Sequence, residues 1–275
     1  MTLIPISDEV DVDTDVVPAT SSRAMHGLLD APGEPPGDGE PLPPLWHWMA
    51  FLPRLARREM GNDGHPLRAR ALYFEEFPRR MFAGARLSFP GVARVGETLT
   101  RRSRVTSVER KTGRSGELLF VTMTTEVSNE EGIAIVEEQD IVYRSAAPAN
   151  GAAPFNVEEW PWQIELPTDP VTLFRYSALT YNAHRIHYDR DYANREEGYP
   201  GLVVQGPLQA VGLAEVARRF VPDRRVSVFR FRAKRPAFDG PALRLCGRLD
   251  DSGLALAALD VSTNETVTAH VSWLD

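Results

Sequence analysis

A chain of 275 residues with 43% hydrophobic and 25% charged side chains has the composition of an ordinary globular protein, with room for two domains of about 100–150 residues each. No apolar run approaches the roughly 20 residues of a membrane-spanning helix, and a net charge of −7 argues against general affinity for nucleic acid or an anionic membrane. The single cysteine, Cys246, excludes an internal disulfide framework and a multi-cysteine zinc site.

The first residues, MTLIPISDEVDVDTD, place acids where a targeting segment carries Lys or Arg, so a cytoplasmic protein is expected. Residues 28–45 are dense in Gly and Pro and read as a loop. Residues 47–60, HWMAFLPRLARREM, have a helical pattern that Pro53 kinks or splits. Short alternating runs then predict strands at 81–89, 96–110, 117–128 and 132–143, separated by PGVARVG, KTGRSG and SNEEG. The Ala-, Pro- and Asn-rich stretch 145–170 has linker composition, which puts a domain boundary there. Beyond it, GPLQAVGLAEVARRF (206–220) predicts a helix, and strands are expected at 225–235, 241–249, 253–260 and 265–274. In the last of these, Val267, Ala269, Val271 and Trp273 share one face.

The two halves echo each other. RRMFAGARLSFPGVARVGETL answers RVSVFRFRAKRPAFDGPALRL, and LLFVTMTTEVSNEEG answers LALAALDVSTNE. Each half reads as a helix followed by four antiparallel strands, a two-layer α+β unit. The duplicated arrangement places residues 1–150 in one unit and 151–275 in the other, with a cleft between them.

Only the second half carries TYNAHRIHYD (180–189), which holds two of the six histidines. His184 and His187, spaced i and i+3 with Asp189 beyond, fit part of a metal site, although a zinc centre usually takes three protein ligands. Ser177 and Thr180 lie near His187, but the chain has no G-x-S-x-G elbow to present a nucleophile. The acid–base reading draws on the residues C-terminal to the motif. An apolar run, Leu202 to Val204, leads through Gln205-Gly206-Pro207 into a helix. Proline suits the first helical turn, and the free N–H groups there, notably that of Gly206, lie at the positive end of the helix dipole. A histidine base beside such an N–H is what enolate chemistry on a thioester needs.

YSALTYNAHRIHYDRDYANREEGYPGLVVQGPL closely resembles the hydratase motif of the MaoC-like (R)-specific enoyl-CoA hydratases. It is most similar to their hydroxyacyl-thioester dehydratase type 2 branch, and PPLWHWMAFLP, GRSGELLFVT and VEEQDIVYR resemble that branch's N-terminal half. The resemblance spans residues 40–275 and implies a double hotdog. Its first unit would bind substrate and coenzyme A without catalysing, and the second would carry the motif. The resemblance assigns the base to His187, and Asn182 fills a position where the wider family has Asp. Gln205 stands where the branch tends to have His, and Tyr181 is grouped with it as a substrate contact.

The implied activity is reversible hydration of a short branched dicarboxylic enoyl-CoA, itaconyl-CoA or mesaconyl-C4-CoA. A dehydratase of straight-chain 3-hydroxyacyl thioesters and a non-catalytic acyl-CoA-binding module are the alternatives. No metal or redox cofactor is implied, coenzyme A enters as part of the substrate, and a homo-oligomer is a family expectation. Cations for the coenzyme A phosphates are expected among Arg230, Arg232 and Lys234, which alternate onto one strand face, and among Arg110, Lys111 and Arg114. Arg175 and Arg185 are the nearest cations in sequence for a free acyl carboxylate.

Overall fold

All eight strands expected from alternation form, within two or three residues of their expected ends. The computed structural model describes residues 2–3, 9–67, 79–113, 116–144 and 159–274. The first half contains β1 (Thr2–Leu3), β2 (Asp11–Val16), α1 (Ala19–Leu28), β3 (Arg79–Ser88), β4 (Thr98–Gly113), β5 (Gly116–Asn129) and β6 (Gly132–Arg144). The second contains β7 (Trp162–Leu166), α2 (Pro170–Thr180), α3 (Arg190–Arg195), α4 (Gly206–Phe220), β8 (Val226–Ala233), β9 (Leu243–Asp250), β10 (Gly253–Leu259) and β11 (Glu265–Trp273). Short 3-10 turns lie at Trp46–Met49, Arg57–Glu59 and Arg185–His187.

One sheet of 11 strands runs through the molecule in the order β1-β4-β5-β6-β3-β8-β11-β10-β9-β7, with β2 also paired to β4. Its two sides mirror each other. From the middle outward, β3, β6, β5, β4 and β2 on one side match β8, β11, β10, β9 and β7 on the other. The echo in the sequence is therefore a structural duplication about the β3·β8 pair, and the fold is the expected double hotdog.

The junction depends on close backbone approach. Gly84 pairs with Arg232 and Leu87 with Phe229. At Gly84, φ is +152° and an added Cβ would stand 2.2 Å from the Phe231 carbonyl oxygen. Phe229 and Phe231 point from β8 into the core, so the intervening Arg230 and Arg232 are turned to the opposite, exposed face.

Helix α4 is the central helix of the second half. Ten of its fifteen residues are buried, including Leu208, Val211, Leu213 and Val216, so it is apolar almost all round, as an interior helix must be. Two glycines bring it down onto β9, for a Cβ at Gly212 would lie 2.5 Å from Leu245 and one at Gly247 would lie 2.9 Å from Val216. At its far end Glu215 is buried and binds Arg218 and Arg219, and Arg219 donates to the carbonyls at the end of α1.

The first half departs from its expected plan. Residues 47–60 do not form a helix; they make one 3-10 turn and then run extended to the turn at Arg57. Positive φ at Leu45 (72°) and Phe51 (56°) and the proline at 53 break the helical path. Burial decides the outcome, because Leu45, Trp46, Met49 and Phe51 all enter the core beside Leu87 and Leu99. The Asp15 carboxylate fixes the new path by accepting the Phe51 N–H at 2.9 Å. The segment expected to be a linker also contains β7, which pairs with β9 from Trp162–Gly247 to Leu166–Leu243; residues 145–158 lie outside the described residues. Helices α1, α2 and α3 are not marked by any pattern read from the sequence.

Gly84→Ala is expected to cost about 3 kcal/mol or more of stability, from backbone strain plus collision with Phe231. Gly39→Ala, at φ +81° with open space around it, is expected to cost only about 1–2 kcal/mol. Thermal or denaturant unfolding of the two variants measures the difference.

Candidate active site

The motif TYNAHRIHYD straddles the end of α2 and the 3-10 turn after it. Asp169 caps the start of α2 by accepting from the N–H groups of Val171 and Thr172, with Pro170 in the first turn. The helix stops at Tyr181, whose φ of +50° turns the chain. The Asn182 N–H returns to the Ser177 carbonyl at 2.9 Å. The Asn182 Oδ1 accepts the His184 N–H at 3.1 Å. An amide oxygen used in this way leaves the amide NH2 as the end available to a ligand.

His187 is buried and held from two sides. Its Nδ1 lies 2.7 Å from the Val203 carbonyl. A carbonyl only accepts, so Nδ1 carries the proton and Nε2 carries the lone pair. The Val203 N–H in turn donates to the Ile186 carbonyl at 2.9 Å. Among the described residues, Nε2 is neither hydrogen-bonded nor sealed from solvent. Burial lowers the imidazole to about 4; the Val203 hydrogen bond opposes that shift and His65 adds to it. At neutral pH His187 is therefore an uncharged base in a fixed tautomer.

The same run, Leu202 to Val204, leads directly to Gly206 at the first turn of α4. The Gly206 N–H donates to no group among the described residues. The Phe82 ring of β3 closes over this glycine, 3.6 Å from where a Cβ would stand. Gln205 is fully buried; its amide nitrogen donates to the Leu173 carbonyl and to Ser177 Oγ, each at 3.0 Å. It ties the start of α4 to the helix that carries Asn182.

The first half supplies a loop, residues 61–66, that clamps the motif. Gly64 has φ +89°, and a Cβ there would lie 1.7 Å from the Ala183 carbonyl oxygen. The Asp63 carbonyl accepts the Arg185 N–H at 2.9 Å. His65 packs on His184 with ring centroids 4.1 Å apart, and His184 meets His187 edge-on at 5.4 Å. Burial first, then the neighbouring His65 and His187, pushes His184 down to about 2. The three rings pack tilted and edge-on, and no group of three metal-ligating side chains gathers among the described residues.

A cavity of about 430 Å³ opens between this motif and the inner face of the first sheet. One wall is Thr180–Ala183 and the opposite wall includes Arg80, Arg101, Met123 and Gln139. Deep in it, Glu137 is nearly fully buried and takes His47 Nε2 and Trp48 Nε1, both at 3.1 Å. The cavity thus lies between the two halves, where the duplication places it.

Of the residues singled out in the sequence, Asn182 and Tyr181 line this cavity, while His187 and Gly206 are not among its described lining residues and are joined to each other through the Val203 segment. The structure does not bring the other candidates there. Gln205 faces α2. Arg185 is taken by Asp189 at 2.7 Å and lies over the Tyr192 ring. Arg175 is exposed on α2 beside Gly27 of α1. Arg230, Arg232 and Lys234 are exposed on the outer face of the sheet, away from α4. Lys111 pairs with Glu109 and Arg110 with Glu117, while Arg114 lies outside the described residues. Sequence reasoning passed over His47, His65, Arg80 and Glu137. Of these, WHW and VEEQ stood out only as family-like segments, and Arg80 carried no local signal.

A continuous duplicated sheet with a neutral buried histidine beside a helix N-terminus defines a hotdog-fold hydro-lyase. Solved structures share the fold. The HtdX protein of Mycobacterium tuberculosis superposes with a TM-score of 0.69 at 16% identity, covering 97% of this chain and 100% of its own. A MaoC-like dehydratase of Phytophthora capsici gives 0.68 at 14% identity, covering 97% and 96%. The profile of hydroxyacyl-thioester dehydratase type 2 matches residues 45–239, and the chain belongs to that family. Among its relatives is the mesaconyl-C4-CoA hydratase of Chloroflexus aurantiacus, 45% identical over 251 residues, or 90% of this chain and 89% of the relative.

With neutral His187 as the proposed base, activity should fall only as pH drops through its folded-state value. The acid limb of kcat/KM is therefore expected near about 4, well below the limb near 6.5 of an exposed histidine. Between those values the unfolded chain binds more protons than the folded one, so stability should also fall as pH is lowered from 6.5 toward 4. A pH–rate profile and unfolding curves over that range check both.

Proposed function

We propose that the protein catalyses reversible addition of water across the double bond of a short enoyl-CoA carrying a free carboxylate, with mesaconyl-C4-CoA the first candidate and itaconyl-CoA the second. The observation that carries the chemistry is the pairing of His187, neutral with Nε2 free, and the unengaged Gly206 N–H three residues beyond its Val203 anchor. The substrate class rests on the relative that is 45% identical along nearly the whole chain.

With mesaconyl-C4-CoA, whose double bond is conjugated with the thioester, hydration begins as His187 Nε2 takes a proton from water and the water oxygen bonds to Cβ. The π electrons move toward the thioester, and the Gly206 N–H, at the positive end of α4, stabilises the enolate oxygen. The His187 proton then passes to Cα on the same face, which completes syn addition and restores the neutral base. The Asn182 amide NH2 holds the water against Cβ. Asn182 moves no proton here, which accounts for an amide serving where a carboxylate stands in the wider family. The steps draw only on protein groups and water.

In this reading residues 1–150 supply the far wall of the cavity and residues 151–275 the reacting groups. A cytoplasmic setting belongs to it as well, and the lone buried thiol of Cys246 suits a reducing compartment. Self-association is also part of the proposal; Val171 and Phe174, exposed on α2, offer apolar surface for it.

Purified protein offered mesaconyl-C4-CoA, itaconyl-CoA and crotonyl-CoA should add water to at least one carboxylate-bearing chain, read by mass spectrometry, without releasing free thiol. His187→Ala is expected to lower kcat by about 10²–10⁴-fold, and Asn182→Ala by about 10- to 100-fold through loss of one hydrogen bond to the reacting water. Full activity in His187→Ala, or thiol release in place of hydration, would overturn the assignment.

A further inference from the structure

A chain that ends in a carboxylate needs a cation inside the cavity, and both cations nearest the motif in sequence are occupied elsewhere. Arg185 is held by Asp189 and the Asn62 carbonyl, and Arg175 is exposed on the outer side of α2. Among the described residues, two arginines line the cavity, Arg80 and Arg101. Arg101 is already committed, with its Nη2 2.7 Å from Asp11 and its guanidinium over the Phe51 ring. Arg80 differs. It is half-buried, and among the described residues no carboxylate, carbonyl or ring pairs with it. Among the described lining residues the one carboxylate, Glu137, has both oxygens engaged by His47, Trp48 and Gln139.

Its position on β3 suits a ligand bound at Gly206. Arg80 and Phe82 alternate onto the same strand face, about 6.6 Å apart along the strand. The Phe82 ring is the group that closes over Gly206. No register shift falls between them, for Arg80 pairs with Tyr143 and Phe82 with Ile141, and the irregularity begins only after Phe82. The Arg80 charge also acts on His184, the ring in edge contact with the base. A thioester oxygen at Gly206 puts Cβ toward His187, and a carboxylate on Cβ lies three bonds from the thioester carbon, roughly 4 Å away. Arg80 lines the same cavity as Asn182, the proposed holder of the reacting water.

We propose that Arg80 is the specificity-determining residue of this site, forming a charge-assisted pair with the free carboxylate of a dicarboxylic acyl-CoA. The inference rests on the proposed thioester site and deepens it. A guanidinium facing a cavity favours a carboxylate by charge and by its forked geometry. It gives no such advantage to a chain ending in methyl.

Binding separates this claim from the catalytic one. Succinyl-CoA and butyryl-CoA are both saturated, so neither reacts by hydration, and they differ by a carboxylate in place of a terminal methyl. Calorimetric titration of the intact wild-type chain is expected to show succinyl-CoA bound at least about 30-fold more tightly than butyryl-CoA. In Arg80→Gln that ratio should collapse toward one, and Arg80→Lys should keep part of it. Equal affinity in the wild type, or an unchanged ratio in Arg80→Gln, would overturn the proposal. The wild-type ratio stands as a test even if the Gln variant does not fold. Wild-type protein that prefers succinyl-CoA but hydrates neither mesaconyl-C4-CoA nor crotonyl-CoA would sink the proposed reaction and leave Arg80 as a carboxylate-binding residue.

Discussion

The five-residue pairing of β3 with β8 is the contact on which the chemistry of this molecule depends. It fuses two hotdog sheets into one and sets Phe82, from the first half, against Gly206, from the second. The same strand carries Arg80 to the far side of the cavity. Backbone approach at Gly84 tolerates no side chain, so the register at the seam is set by sterics as well as by hydrogen bonds. A slip of one residue would turn Arg80 and Phe82 to the outer face and leave the cavity without its opposite wall.

Burial sets the electrostatics of His187. A histidine left in water would be partly protonated near neutrality, and its remaining proton would exchange between the two ring nitrogens. Here the Val203 carbonyl fixes the proton on Nδ1, and desolvation holds the ring neutral well below physiological pH. His184 meets the His187 ring edge-on, and His65 packs tilted on His184. The loop that brings His65 is held by Gly64 against Ala183, another contact possible only without a Cβ. The cost of keeping polar rings buried is met by packing from both halves.

Much of the fold was legible in the sequence because strand signals are local. Alternation in β3 to β6 and in β8 to β11 survives folding, since each strand buries one face. The duplication followed from that pattern, and α4 from an apolar run opening with Gly-Pro. The failures share a cause. Residues 47–60 have helical spacing, yet their aromatic side chains gain more by filling the first half's core than by forming helix hydrogen bonds. Strand β7 is hidden among prolines and is specified by its partner β9. At the candidate site, Asn182, His187 and Gly206 come from a single segment, which made them candidates in the sequence. Arg80 and His65 come from the other half, where nothing nearby marks them.

The sequence by itself determined the strand positions, the duplication and the family, because each is written in residues close together along the chain. Only the tertiary structure decided which cations line the cavity. Arg230, Arg232 and Lys234 alternate as a cation-lined strand should, but Phe229 and Phe231 claim the core and turn those charges outward. Arg80 reaches the cavity because a strand from the opposite half carries it there. Which face of a strand is the inside is a property of what packs against it, and that partner is distant in sequence.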